Sequence, residues 1–152
     1  MKRYLLIVLL VLAPFSQSQA TYTDRIMMIR SDQSFPETMA ALQLAIKNHG
    51  YTLSRVQRVD LGLTHSGFKT DRYRIVFFGK PDEFHQLVDK YPELIPYLPL
   101  KIAIFAENDQ TILISANPLI FMQMYHNKEL SKIFERWQKD IIAILNSVQS
   151  AE

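Results

Sequence analysis

This chain predicts an α+β domain with a largely antiparallel sheet, and three observations carry the expectation. Tyr73–Gly79, Leu100–Ala106 and Thr111–Ala116 (YRIVFFG, LKIAIFA and TILISA) are apolar runs of strand length. The helical patterns are few and stand apart in sequence from the strands that pair, an order that suits α+β. The three runs also scarcely alternate. A strand with one wet face should alternate apolar and polar residues, so this sheet is expected to be covered on both sides. Two substantial helices are too few for that, and a second copy of the chain is the natural cover. Burying even about 600 Å² of apolar surface per subunit would favour association by several kcal/mol before entropy losses.

The chain of 152 residues opens on a secretory pattern. Lys2 and Arg3 form a basic start, Tyr4 to Ala13 is an apolar run, and Ser18-Gln19-Ala20 places small residues where a signal peptidase reads. The run is too short to span a bilayer stably. Residues 1–20 are therefore expected to be a cleaved signal peptide, and residues 21–152 one periplasmic or secreted domain without stable membrane insertion. Lys and Arg number 17 against 15 Asp and Glu. Lys2 and Arg3 lie in the leader, so the remainder is balanced, and no electrostatic case for nucleic acid or an anionic membrane survives. Cysteine is absent. This removes disulfides, thiolate metal sites, cysteine nucleophiles and a lipidated cysteine.

Arg25–Arg30 reads as the first strand. Ser34-Phe35-Pro36-Glu37 is a capping box with proline in the first turn. Phe35, Met39, Leu42 and Ile46 mark one helical face, and His49-Gly50 stops a helix over 35–49. Tyr51–Asp60 reads as a second strand with a bulge near Arg55-Val56. Leu61–Asp71, with Gly62 and Gly67, reads as a loop or open hairpin. Arg72–Phe78 is the third strand. Pro81 then opens a short helix over 82–90, burying Phe84, Leu87 and Val88.

Pro92, Pro96 and Pro99 make Tyr91–Pro99 an ordered, non-helical crossing. Leu100–Glu107 and Thr111–Ala116 form a hairpin across Asn108-Asp109-Gln110. Asn117 caps and Pro118 opens a helical region reaching about Val148, interrupted near His126-Asn127. Ile133, Phe134, Trp137, Ile141, Ile144, Leu145 and Val148 form its apolar stripe.

Several of these residues fall in a familiar order: Ser34-Phe35-Pro36-Glu37-Thr38, Gly50-Tyr51, Tyr73–Pro81, Leu98-Pro99-Leu100-Lys101 and Asn117-Pro118. Over about Arg25 to Val148 the chain resembles the family called domain of unknown function 302. The resemblance implies a β-α-β(4)-α arrangement like one half of the TATA-binding-protein saddle, with a mainly antiparallel sheet and helices on one face. It also implies a dimer, and brings no agreed activity. The chain departs from the family in having Asn108-Asp109-Gln110 for an acidic-Gly turn and Asn117-Pro118 for Asp-Pro. Both replacements keep the turn and cap chemistry.

For chemistry the candidates are few. No metalloprotease, phosphate-loop, nucleophile-elbow or EF-hand pattern occurs. His65 beside Ser66 lies between two glycines. Arg72, Arg74 and Lys101 put positive charge on or beside central strands, which calls for a carboxylate, a sheet rim or an anionic ligand. Asp71 and Glu107 are the available internal partners. With Tyr73 and Tyr97, these residues suggest a ligand site formed by His65, Tyr73, Arg74, Tyr97 and Lys101. It would lie between the Gly62–Gly67 loop, the end of the third strand and the Tyr91–Pro99 crossing. The expected function is a non-enzymatic, homodimeric binding module for a small ligand or a periplasmic protein, with no cofactor. The alternative is a periplasmic haem- or copper-binding protein of redox or sulfur metabolism using His65, His126 or Met122, imidazole and thioether ligands being suited to those metals. On a helix Met122 and His126 share a face while Met124 points away.

Overall fold

The computed structural model describes residues 20–151. The expected leader lies outside these residues, apart from Ala20. The described chain runs β1 (Ala20–Tyr22), β2 (Ile26–Ser31), α1 (Phe35–Asn48), β3 (Thr52–Arg58), α2 (Val59–His65), β4 (Tyr73–Gly79) and α3 (Pro81–Lys90). A 3₁₀ segment, Pro92–Tyr97, leads to β5 (Leu100–Glu107) and β6 (Gln110–Ala116). A second 3₁₀ segment, Pro118–Gln123, leads to α4 (Lys128–Gln149). The six strands form one sheet in the order β1-β2-β6-β5-β4-β3, and every neighbouring pair is antiparallel. This is the α+β class expected from the sequence.

Local chemistry explains where each helix begins and ends. Glu37 accepts from the Ser34 backbone N–H at 3.1 Å and from its hydroxyl at 2.6 Å, which fixes the first turn of α1. Gly50 ends that helix at φ +75°, a left-handed conformation that favours glycine. Its N–H reaches Lys47 O, and the Tyr51 N–H reaches Ile46 O, the paired bonds of a Schellman stop. Asn117 and Asn127 each cap the segment that follows, Asn127 accepting from the N–H groups of Glu129 and Leu130.

One face of the sheet meets α1 and α4. Met27, Ile29, Leu113, Ile102, Ile104, Val76 and Phe78 point there. Leu42, Ala45 and Ile46 of α1 close the core from above. So do Leu130, Phe134, Trp137, Ile141, Ile144, Leu145 and Val148 of α4. The recurrence every three or four residues is what builds such a buried stripe. Leu87 of α3 and Leu94 of the first 3₁₀ segment join the same core.

Four expectations need correction. The Leu61–Asp71 stretch is not a loop throughout, because α2 occupies its first part. Gly62 weakens a helix by roughly 1 kcal/mol and no residue of α2 is buried, so neither propensity nor periodicity announced it. Tyr91–Pro99 is helical in part: Pro92 opens a 3₁₀ segment that also contains Pro96, while Pro99 lies beyond it after a cis peptide bond. The irregularity of β3 falls between Leu53 and Arg55 rather than at Arg55-Val56. Lastly, β1 pairs with β2 and was not expected.

Candidate functional site

The opposite sheet face is apolar at its centre. One row across the strands reads Gln57, Ile75, Ala103, Ile114, Met28 and Thr21, each residue paired with the next. The next row reads Tyr73, Phe105, Ile112 and Arg30, with Tyr73 edge-on to Phe105 at 6.2 Å between centroids. Ile75, Phe77, Ala103, Phe105, Ile114 and Met28 are all half-buried. None of them belongs to the core or to the side chains packed against it. Ile112 is buried all the same, since the Arg30–Glu107 ion pair at 2.7 Å reaches over β6 from β2 to β5.

Positive charge gathers at the end of the sheet where β3 finishes and β4 begins. Arg58 and Arg74 are direct cross-strand partners. Arg74 is paired with Asp60 of α2, both side chains being largely buried, and its guanidinium also bonds to Tyr73 O at 3.0 Å. The hydrogen bond from Arg74 holds the Asp60 carboxyl below its ordinary value, helped by the Arg58 charge. The internal partners expected for these charges are thus corrected: Asp60, not Asp71, serves Arg74, and Glu107 serves Arg30. The Phe35 ring lies under Arg74 and under Arg72, the residue before β4, 5.7 Å from the Arg74 guanidinium carbon and 6.0 Å from that of Arg72.

Arg72 stands at the rim between two cavities. On the helix side, a cavity of about 410 Å³ is lined by Phe35, Pro36, Met39, Ala40 and Gln43 of α1 and by Arg58, Arg72 and Arg74. On the open side, one of about 330 Å³ is lined by Thr70, Asp71, Arg72, Tyr73, Ala103, Phe105, Ala106 and Ile114.

The five residues grouped from the sequence divide between two places. Tyr73 and Arg74 belong to this rim, facing opposite sides of the sheet. His65 ends α2 nearby in sequence and is exposed. Tyr97 and Lys101 lie at the far end of β5, beside a different cavity of about 270 Å³ lined also by Ser115, Phe121 and Ile141. The register makes the separation plain, because Tyr73 pairs with Phe105 whereas Lys101 pairs with Phe77. Met122 lies in the second 3₁₀ segment, partly buried against the core, and His126 is exposed in the link to α4. Among the described residues no group of three or more His, Cys, Asp and Glu is placed to hold a metal ion.

A polar cluster at the α3–α4 contact escaped the sequence reading. The Tyr51 hydroxyl donates to Asp140 at 2.5 Å, and Lys80 Nζ sits 4.7 Å from the centre of the Tyr51 ring. Arg136 pairs with Glu83 and lies 3.7 Å from Asp140, and Trp137 Nε1 donates to Glu83 at 3.4 Å. Burial, and then the bond to Asp140, push the Tyr51 hydroxyl well above its ordinary value. The i,i+4 spacing of Arg136 and Asp140 was the one signal available, and it does not point to α3.

A family model described as Domain of unknown function DUF302 matches residues 27–148. Among solved structures, the chain is similar to the crystal structure of an uncharacterized conserved protein DUF302 from Bacillus stearothermophilus. The TM-score is 0.73 at 19% identity, over 81% of this chain and 97% of that one. At that identity the likeness bears on the fold alone. No curated protein matches the chain.

Proposed function

Since the chain belongs to the family Domain of unknown function DUF302, we propose that it is an exported, non-enzymatic binding module that works as a homodimer. In this reading each chain has the fold of one half of a TATA-binding-protein-like saddle. The carrying observation is the row Ile75, Ala103, Ile114 and Met28: apolar, half-exposed, and excluded from the chain's own core. Contiguous apolar patches of this kind mark interaction surfaces. A second copy offers the same row and so a self-complementary cover. The polar ends of the face, Arg30 with Glu107 and the exposed Lys101, would form a rim around that apolar centre. The ligand site in this reading is the helix-side cavity lined by Arg58, Arg72 and Arg74, since the open-side cavity shares Ala103 and Ile114 with the row that the second copy covers.

Light scattering after gel filtration tests the assembly. The chain lacking residues 1–20 is expected to elute as a dimer at micromolar concentration, and Ile75→Glu as a folded monomer. A wild-type monomer at that concentration overturns the proposal. Export is tested separately, by expression with the native leader in a Gram-negative host. The periplasmic product is expected to begin at Thr21, and a product retaining Met1 in the cytoplasm refutes this part. Among the described residues no helix is long and apolar enough to cross a membrane.

A further inference from the structure

We infer that the helix-side cavity at the sheet rim binds a small organic anion with an apolar body, its phosphate or carboxylate head held by Arg58 and Arg72. This rests on the reading of the chain as a binding module and names the ligand class for that site. Three arginines line the cavity: Arg58 at the end of β3, Arg72 just before β4 and Arg74 within it. Arg58 and Arg74 are directly opposed across the strands, where like charges destabilise a sheet. A single carboxylate is bonded within the group, Asp60 on Arg74. Among the described residues neither Arg58 nor Arg72 bonds to a carboxylate. Glu37, on the adjoining first turn of α1, is turned back to Ser34. Asp71 lines the cavity on the other face. The helix-side cavity is therefore lined by three guanidinium groups and by no carboxylate, Asp60 reaching the group through its bond to Arg74 and through the charge of Arg58.

The remaining walls say what else the ligand holds. Phe35, Pro36, Met39 and Ala40 are apolar, and Gln43 adds one amide. Guanidinium groups bind planar or tetrahedral oxyanions through paired N–H bonds. An anion without an apolar portion would leave the α1 wall unused. A neutral apolar molecule would leave the arginines unpaired. At about 410 Å³ the space lies within the range of small-molecule sites.

Isothermal titration of the chain lacking residues 1–20, with hexyl phosphate, hexanoate, inorganic phosphate and hexanol, tests the inference. At least one of the two hexyl anions is expected to bind saturably, and which of them binds more tightly identifies the head group. Inorganic phosphate and hexanol are each expected to bind at least tenfold more weakly. Arg58→Gln with Arg72→Gln should weaken the hexyl anion at least tenfold, with melting temperature and dimerisation unchanged. Gln43→Glu should do the same from the helix side while leaving the arginines in place. Absence of binding by both hexyl anions overturns the inference. So does equal binding of inorganic phosphate, or affinity unaltered in both variants. Each of these outcomes leaves the light-scattering result standing by itself, so the assembly and the ligand class fail separately.

Discussion

Phe134→Ala is expected to lower the free energy of unfolding by about 3–5 kcal/mol, the range for truncating a fully buried phenylalanine. Phe134 is 0% exposed. Its ring meets those of Phe121 at 5.5 Å, Trp137 at 5.7 Å and Tyr125 at 6.2 Å between centroids. Phe121 in turn stands 4.7 Å from Tyr97. The side chain therefore joins α4 to the second 3₁₀ segment directly and, through Phe121 and Tyr97, to the first. These neighbours are aromatic and held by their own packing, so they relax little into the space left behind, and the cavity contributes on top of the lost burial. Urea unfolding followed by tryptophan fluorescence measures the change through Trp137, with the slope checked for constancy. Phe68→Ala provides the contrast. That ring is 63% exposed, and its loss should stay within about 0.5 kcal/mol. A Phe134→Ala effect as small as this would mean that the aromatic group does not hold α4 against the 3₁₀ segments.

Asp60→Ala is expected to cost about 3 kcal/mol, because it strands the largely buried Arg74 charge. Replacing the pair together, Asp60→Ala with Arg74→Met, should cost less than Asp60→Ala alone. Removing both charges leaves no unpaired ion, which is the reason the two effects are not additive. Acid titration gives an independent measure. Arg74 holds the Asp60 carboxyl below its ordinary 3.8 in the folded chain. A depressed folded value adds stability that is complete above the unfolded value and fades as pH falls through the folded one. The stability margin of wild type over Asp60→Asn should therefore be constant near neutrality and shrink below about pH 4. A margin that grew on acidification would contradict the pairing.

What the sequence disclosed follows from where physics is local. Capping at Ser34 and Asn117 acts over a few residues, and so the starts of α1 and of the segment after Asn117 were readable, whereas at Asn127 only an interruption was read and not the cap that opens α4. The stripe from Phe134 to Val148 repeats at helical spacing and was readable for the same reason. α2 was not, because Val59–His65 buries nothing and carries a glycine. It is held by the bond from Arg74 to Asp60, which links residues fourteen apart. The candidate site was read only in part. Charge on β4 was visible as alternation, but the pairing of Arg58 with Arg74 depends on the β3 register, which an irregularity between Leu53 and Arg55 shifts. Tyr97 and Lys101 lie near Tyr73 and Arg74 in the linear order of segments, yet β4 runs from Tyr73 to the opposite end of the sheet, where β5 begins. The Tyr51, Glu83 and Asp140 cluster draws on three distant segments and had no local signature.

The two outermost strands set limits on how copies of this chain can meet. Among the described residues β1 has three residues, and β3 carries Arg55 and Arg58 beside its irregularity. Short length, cations and a kink are the devices that keep a sheet from templating further strands along its margin. Continuous cross-β growth into a fibril is thereby discouraged at both margins, and stacking broad side against broad side remains the open route to assembly.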